Sequence, residues 1–424
     1  MSLDLYNRGR RMGRTWVMLC LLLIPTLPGC AQATPPPEPI TIVFVHPEVD
    51  TEYYQTLVGE FAESHPDITV ELRASTGDMQ SALSAGETDV FVAAPYVLLQ
   101  LLQQDQVLSL DPFIEQDRSF EASDFYPGTM DLLTFEGKTL AIPAGVDVLV
   151  MFYNKDLFDR HGVPYPDIGW TWDDFLSAGL AVTDPEAGIY GYTPIGTTTE
   201  PMYSDAVFFV YQHGGRLFDG LQDPTHTTFD DPLTVKAVEW YARLYQEYDI
   251  APTPTEARKA FGASRYAYYD GIRHGQVGMW IGEHSQRGGL GWPVEWFVDW
   301  GMAPLPRDVT SITQADVEGY AIHAGAEHPD ACWQWITFLS QHMPYRLMPA
   351  RKALADSIAY GQLVGEDIAA VVRASMEDAV LINLMAFVEF EGDMDTFARA
   401  VREVIDGEST AREAMDWAQQ QAEQ

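Results

Sequence analysis

The sequence predicts an α/β fold in which short buried strands alternate with amphipathic helices. Apolar runs rich in β-branched residues recur along the chain, as strands buried on both faces require. Between them lie segments whose apolar residues repeat at helical spacing. His and Cys show no zinc-like spacing, and Cys332 is the one cysteine beyond the N-terminal region, so burial must hold the core.

The elements follow in order. Ile40–Val45 reads as a buried parallel strand, and residues 51–64 place Tyr54, Leu57, Val58 and Phe61 on one helical face. His65, Pro66 and Asp67 stop that helix, and Ile68–Leu72 is the next strand. A helix around Met79–Ala85, a strand at Asp89–Val92 and a helix around Tyr96–Gln103 continue the alternation. This β-α-β-α order predicts a doubly wound α/β lobe, whose ligands sit beyond the carboxyl ends of the strands. The loops His46–Glu48 and Ala93–Tyr96 occupy those positions. Leu149–Tyr153 is apolar on both faces and reads as a central strand, with Asp147 just before it. Thr171 is an expected N-cap with Asp173 and Asp174 in the first turn, which makes Trp172 a packing anchor.

The N-terminus carries a different pattern. Arg8, Arg10, Arg11 and Arg14 precede an uncharged apolar run from Trp16 to Leu27, then Pro28, Gly29 and Cys30. This is the layout of an export signal. A cysteine after the small residue resembles the bacterial lipoprotein signal, with Pro28 where that signal usually carries a small residue other than proline. The resemblance implies lipidation at Cys30, residues 1–29 removed, and a Pro-rich tether over 30–39. The apolar run is shorter than the roughly 20 residues a spanning helix needs. An extracytoplasmic protein, lipid-anchored to a membrane, is therefore expected.

Formal net charge is −37. Nucleic acid and anionic lipid surfaces are excluded as partners, because phosphate binding rests on Lys and Arg clusters and none follows residue 30. Phosphate-binding loops, serine-nucleophile elbows and zinc-protease helices are absent. No cofactor is expected. His46, His274 and His284 have no paired metal-ligand spacing, and Asp393 with Asp395 lacks the rest of a calcium loop.

Several strings, taken together, point to a family. Gly137–Pro143 followed by Asp147–Phe158 closely resembles the most recognisable stretch of the extracellular solute-binding proteins of sugar-type ABC importers, the maltose-binding-protein-like family 1. The similarity continues through Gly169–Leu176, His213–Phe218, Thr228–Tyr241, Tyr269–Met279, Met302–Pro306, Glu318–His323 and Met348–Lys352, in the family's order. A helical C-terminal tail follows. The resemblance implies a periplasmic-binding-protein-like clamshell of two doubly wound α/β lobes joined by crossing hinge strands. Its lobes would comprise residues 40–148 with 305–341, and 149–304 with 342–424. It also implies capture of a monosaccharide, oligosaccharide or polyol between the lobes and delivery to membrane permease subunits, by a monomer without enzymatic activity.

Sugar recognition combines aromatic faces with carboxylates and amides that take the hydroxyls. The chain holds 20 Tyr, 20 Phe and 11 Trp, and 62 Asp and Glu against 25 Lys and Arg. Position selects the candidates. His46, Glu48 and Tyr96 follow first-lobe strands, and Asp147 lies at the expected lobe crossing. Tyr203 and Asp205 occupy the segment where family members offer an aromatic. Glu283 and His284 follow the strand Val277–Ile281, Glu318 and Tyr320 lie on the return to the first lobe, and Arg351 sits on a late loop.

One departure bears on the solute. Ser285 stands where many sugar-binding relatives place a stacking tryptophan, so Trp292 or Trp296 must supply the stack or the ligand is not a simple sugar. Tyr268 and Tyr269 resemble the tyrosine pair of ferric-ion binders, although core packing is the expected role. A non-sugar solute (ferric ion, a polyol phosphate, a peptide) remains the alternative. Asp147, Glu283 and Glu318 converging in a cleft would also suit a glycosidase.

Overall fold

A computed structural model of the chain describes residues 40–75, 83, 88–194, 196, 198, 204–221, 224–289, 295–308, 312–377, 380–382 and 390–424. The expected Met79–Ala85 helix lies outside them except for the buried Leu83. Residues 39–424 form one compact unit.

The strands are β1 (Ile40–Pro47), β2 (Ile68–Ser75), β3 (Val90–Ala93), β4 (Thr134–Phe135), β5 (Lys138–Thr139), β6 (Ala141–Asn154), β7 (Tyr190–Thr193), β8 (Val277–Glu283), β9 (Trp300–Ala303), β10 (Ile312–Ile322) and β11 (Val380–Ile382). Nine of them form one sheet with the path β2-β1-β3-β10-β6-β8-β7, β11 adding to β10 and β9 to β6. β1 is parallel to β2 and β3, and β7 is parallel to β8. β10 runs antiparallel to both β3 and β6, and β6 antiparallel to β8 and β9. The parallel pairs are joined through helices, as such pairs require.

β6 organises the molecule. All 14 of its residues are buried. Ala141 to Val148 pair with β10, whereas Leu149 to Tyr153 pair with β8 and Met151 to Asn154 with β9. The strand therefore changes partner on one side between Val148 and Leu149. Pro143 has no N–H to give the ladder, and the register slips there, opposite the Glu318–Gly319 step of β10.

Local chemistry sets the flanking helices. Thr51–Ser64 buries Tyr54, Leu57 and Phe61 against β1, where Phe44 meets Tyr54 edge-on at 4.8 Å. Asn154 ends β6 and caps helix Lys155–His161, its Oδ1 accepting from Leu157 N at 3.2 Å. Thr171 and Asp174 form a capping box at the start of helix Trp172–Val182. Trp172 is 3% exposed and packs on Phe209 and Phe175 at ring distances of 4.2 and 5.1 Å. The C-terminal helices Glu391–Ile405 and Ala411–Ala422 join the same core, through Phe397, Val401 and Met415. Gln419 ties them down, accepting from Phe229 N at 2.9 Å and donating to Thr227 O at 3.1 Å. The Tyr268–Tyr269 pair sits on helix Ala267–Arg273, with Tyr268 buried.

Candidate functional site

Strand register collects a group of carboxylates. Asp147 of β6 lies opposite Asp316 of β10, and Leu149, two residues on, lies opposite Glu283 of β8. Side chains two apart share a face, and so do cross-strand partners. Asp147, Glu283, Asp316 and Glu318 therefore project from one face of three adjacent strands. Gly145 is opposite Glu318 on the same face. A Cβ there would stand 2.7 Å from Leu347 Cβ, so only glycine lets the segment Pro344–Met348 cross so close. That segment is pinned by Val146 N donating to Met348 O at 2.8 Å and Met348 N donating to Val146 O at 2.9 Å.

The crossing delivers Arg346. Its guanidinium donates to both Asp50 oxygens, at 3.2 and 3.4 Å, and lies 3.6 Å from Glu318 Oε1. Arg287 spends its donors elsewhere, giving Nη1–H to the carbonyls of Arg346 at 2.8 Å and His284 at 3.3 Å. Asp147 Oδ1 accepts from Ser285 N at 2.9 Å, Glu283 Oε2 from Gln286 Nε2 at 3.0 Å, and Asp316 Oδ1 from Gln314 Nε2 at 3.2 Å. Among the described residues, none of those three carboxylates forms a salt bridge.

The electrostatics follow from burial and crowding. Asp147 is pushed up to about 6, chiefly by burial, with Ser285 opposing and the Asp316 charge adding. Glu283 rises to about 7 through burial and then the Asp147 and Asp316 charges. Glu318 also rises to about 7 by burial, with Arg346 opposing. These groups exchange protons near neutrality and act as hydrogen-bond acceptors above it. Beside Glu283 opens a cavity of about 110 Å³, walled by Leu149, Pro194, Tyr268, Tyr269 and Trp280. It lies at the carboxyl ends of β7 and β8, where α/β sheets take ligands.

The remaining predicted residues divide into exposed and internal groups. Glu48 and Tyr96 are exposed beyond the ends of β1 and β3. Five others are internal. Asp205 is fully buried, its Oδ2 accepting from the hydroxyls of Tyr192 and Tyr241 at 2.5 and 2.9 Å. Arg351 is 8% exposed, donating to Ser340 O at 3.0 Å and Asp124 Oδ2 at 3.4 Å, under the Phe125 ring. Tyr320 is buried and hydrogen-bonded to Tyr54. His46 is buried with Nδ1 2.8 Å from Pro47 O, and burial lowers its basicity. His284 is buried too and pushed down to about 3, by burial and then Arg287, so it stays neutral. All five are buried beside internal partners. Tyr203, Trp292 and Cys30 lie outside the described residues, whereas Trp296 is buried against Phe152 and Trp280.

Comparison with known proteins fixes the family. The bacterial extracellular solute-binding protein family matches residues 47–343. This chain belongs to that family. An ABC substrate-binding protein from Listeria monocytogenes, in complex with cycloalternan, shares the fold at a TM-score of 0.70 and 20% identity, over 90% of this chain and 98% of that one. An arabinooligosaccharide-binding protein of Bacillus subtilis is 25% identical over 217 residues, 48% of this chain and 46% of the relative. A mannitol-binding protein of Pseudomonas aeruginosa is 26% identical over 356 residues, 80% of this chain and 73% of the relative. The chain thus spans about half the length of curated relatives such as the Bacillus protein. The fold is the clamshell of two α/β lobes joined by crossing strands, and this solute-binding protein is extracytoplasmic. Among the described residues, no helix is long and apolar enough to cross a membrane.

Three members of the solute-binding protein's carboxylate site escaped sequence reasoning: Asp50, Asp316 and Arg346. Asp316 had a readable signal, since it stands two residues before Glu318 in one strand and so shares its face. Arg346 had a weaker one, as a second cation on the loop that carries Arg351. Asp50 closes the short turn that starts at Glu48 and faces inward where Glu48 faces out.

Proposed function

We propose that this protein is the solute-binding component of an ABC importer, capturing a small polyhydroxylated solute and delivering it to a membrane permease. The observation that carries this is the shared face of Asp147, Glu283, Asp316 and Glu318, set where β6 changes partners and beside an aromatic-walled cavity. Carboxylates near neutrality accept paired hydroxyls, and rings cover the C–H side of a sugar or polyol. Asp147, Glu283 and Glu318 take the hydroxyls, and Glu48 and Tyr96 close from the first lobe. The lobes are residues 40–148 with 305–341, and 149–304 with 342–424. Solute touches both only when they close, so binding shifts the hinge equilibrium. The sugars and polyol named for the Listeria, Bacillus and Pseudomonas proteins support the solute class. Cys30 carries the lipid anchor, and the protein acts as a monomer.

The test is a thermal-shift screen of residues 40–424 against sugars, polyols, amino acids, peptides and ferric ion. A ligand that binds only the folded state raises Tm by mass action. A rise with one sugar or polyol, recovered chemically unchanged, supports the reading. A rise confined to ferric ion moves the site to the tyrosine pair, and a consumed glycoside replaces binding by hydrolysis.

A further inference from the structure

Covering the C–H side of a sugar takes an exposed ring beside the hydrogen-bond acceptors. Trp296, a candidate from the sequence, is 5% exposed and packs on Phe152 and Trp280, so its faces are taken. Tyr345 offers what Trp296 does not. It is 54% exposed, on the segment that crosses beside Gly145. Its neighbours fix its place. Arg346 donates to both Asp50 oxygens, the Arg346 carbonyl accepts from Arg287 at 2.8 Å, and Met348 is paired with Val146. An exposed tyrosine alone is ordinary. One on a backbone tied at three points, within electrostatic reach of Arg287, is a preorganised platform. With two χ angles, it also orders against a ligand at low entropic cost.

A second observation adjoins the ring. Tyr345 lines a hollow of about 10 Å³ together with Asp50, Tyr53, Glu318 and Arg346. That is room for one water-sized group. The Tyr53 hydroxyl is buried and has no partner among the described residues. A buried hydroxyl left unpaired is destabilising, so its retention calls for a use. A solute hydroxyl in the hollow would accept from Tyr53 O–H and donate to the Asp50 or Glu318 carboxylate. One hydroxyl-sized hollow beside one exposed ring matches a cyclic sugar, with a C–H face on the tyrosine and an edge hydroxyl in the hollow. A linear polyol has no flat face to lay there.

We propose that Tyr345 is the ring on which the solute stacks, and that the solute is a saccharide in ring form, one hydroxyl of which seats in the hollow against Tyr53. This rests on the solute-binding reading above and narrows it from sugars and polyols to ring sugars.

The experiment is calorimetric titration of the full chain with ring and open-chain forms of one carbon skeleton. Glucose is paired with glucitol, mannose with mannitol and arabinose with arabinitol, and maltotriose and arabinotriose extend the ring series. At least one ring probe should bind, and each monosaccharide that binds should do so about tenfold or more tighter than its alditol. On the tightest ring probe, Tyr345→Ala should weaken binding about tenfold or more, as loss of an aromatic anchor does. Tyr345→Phe keeps the ring and should keep most of the affinity. Neither variant should move the Tm of the ligand-free protein, because the side chain is exposed. Tyr53→Phe should weaken the same probe while the ligand-free Tm stays level or rises, since it removes an unpartnered buried hydroxyl. A tyrosine with a merely structural role would lose stability instead. An alditol that binds as well as its sugar, or wild-type affinity in Tyr345→Ala, overturns the proposal and leaves solute binding standing. Wild-type affinity in Tyr53→Phe overturns the seating of a hydroxyl in the hollow. Failure of every ring probe overturns the proposal too, and a positive thermal-shift screen with another solute then shows that solute binding itself survives.

Discussion

Asp147→Asn gives the most direct reading of the carboxylate face. Asp147 is 8% exposed, and burial lifts its carboxyl from the ordinary 3.8 to about 6. The folded chain therefore binds this proton more tightly than the unfolded chain does. Stability from the group is full below pH about 4, falls as pH rises from there to about 6, and is level above. At about 1.4 kcal/mol for each pH unit, that span amounts to about 3 kcal/mol. Asparagine keeps an oxygen for Ser285 N and carries no charge, so the variant escapes the loss. Urea unfolding at pH 4, 5, 6, 7 and 8 reports the difference between variant and wild type. It should be near zero at pH 4 and approach about 3 kcal/mol in favour of the variant by pH 8. A difference independent of pH, or one that favours wild type increasingly above pH 6, refutes the reasoning. The second result would mean that Arg346 outweighs burial and holds the carboxylate ionised.

Trp172→Ala should cost about 3–5 kcal/mol in urea unfolding, because it empties a buried ring site against Phe209 and Phe175. Solute affinity measured on the surviving folded fraction should not change. Arg351→Ala should destabilise by about 3 kcal/mol, since it removes the guanidinium paired with Asp124 and frees Ser340 O in a buried setting. Intact stability with lost solute binding would return Arg351 to the site. The Cys332 thiol is buried and pushed up to about 12, by burial first and then Asp89. In residues 40–424 its labelling by Ellman's reagent should proceed at the rate of global unfolding, so prompt labelling in native buffer would contradict its place on the buried face of helix Pro329–Ser340.

Alternation made the lobes legible, because a run such as Ile40–Val45 has few folded uses other than a buried strand. Asp147 was legible for a related reason: a lone carboxylate at the edge of a doubly apolar run must face something polar. The surroundings of Asp205 were not legible, because its chemistry looks the same in sequence, a carboxylate beside an aromatic. Only the fold shows Tyr192 and Tyr241, 13 and 36 residues away in sequence, already donating to it. Arg351 and Tyr320 are alike in this, each meeting partners brought in from other segments. The juxtaposition of Asp147 with Asp316 was beyond reach for a different reason. It depends on the register of two strands more than 150 residues apart, which no local pattern encodes.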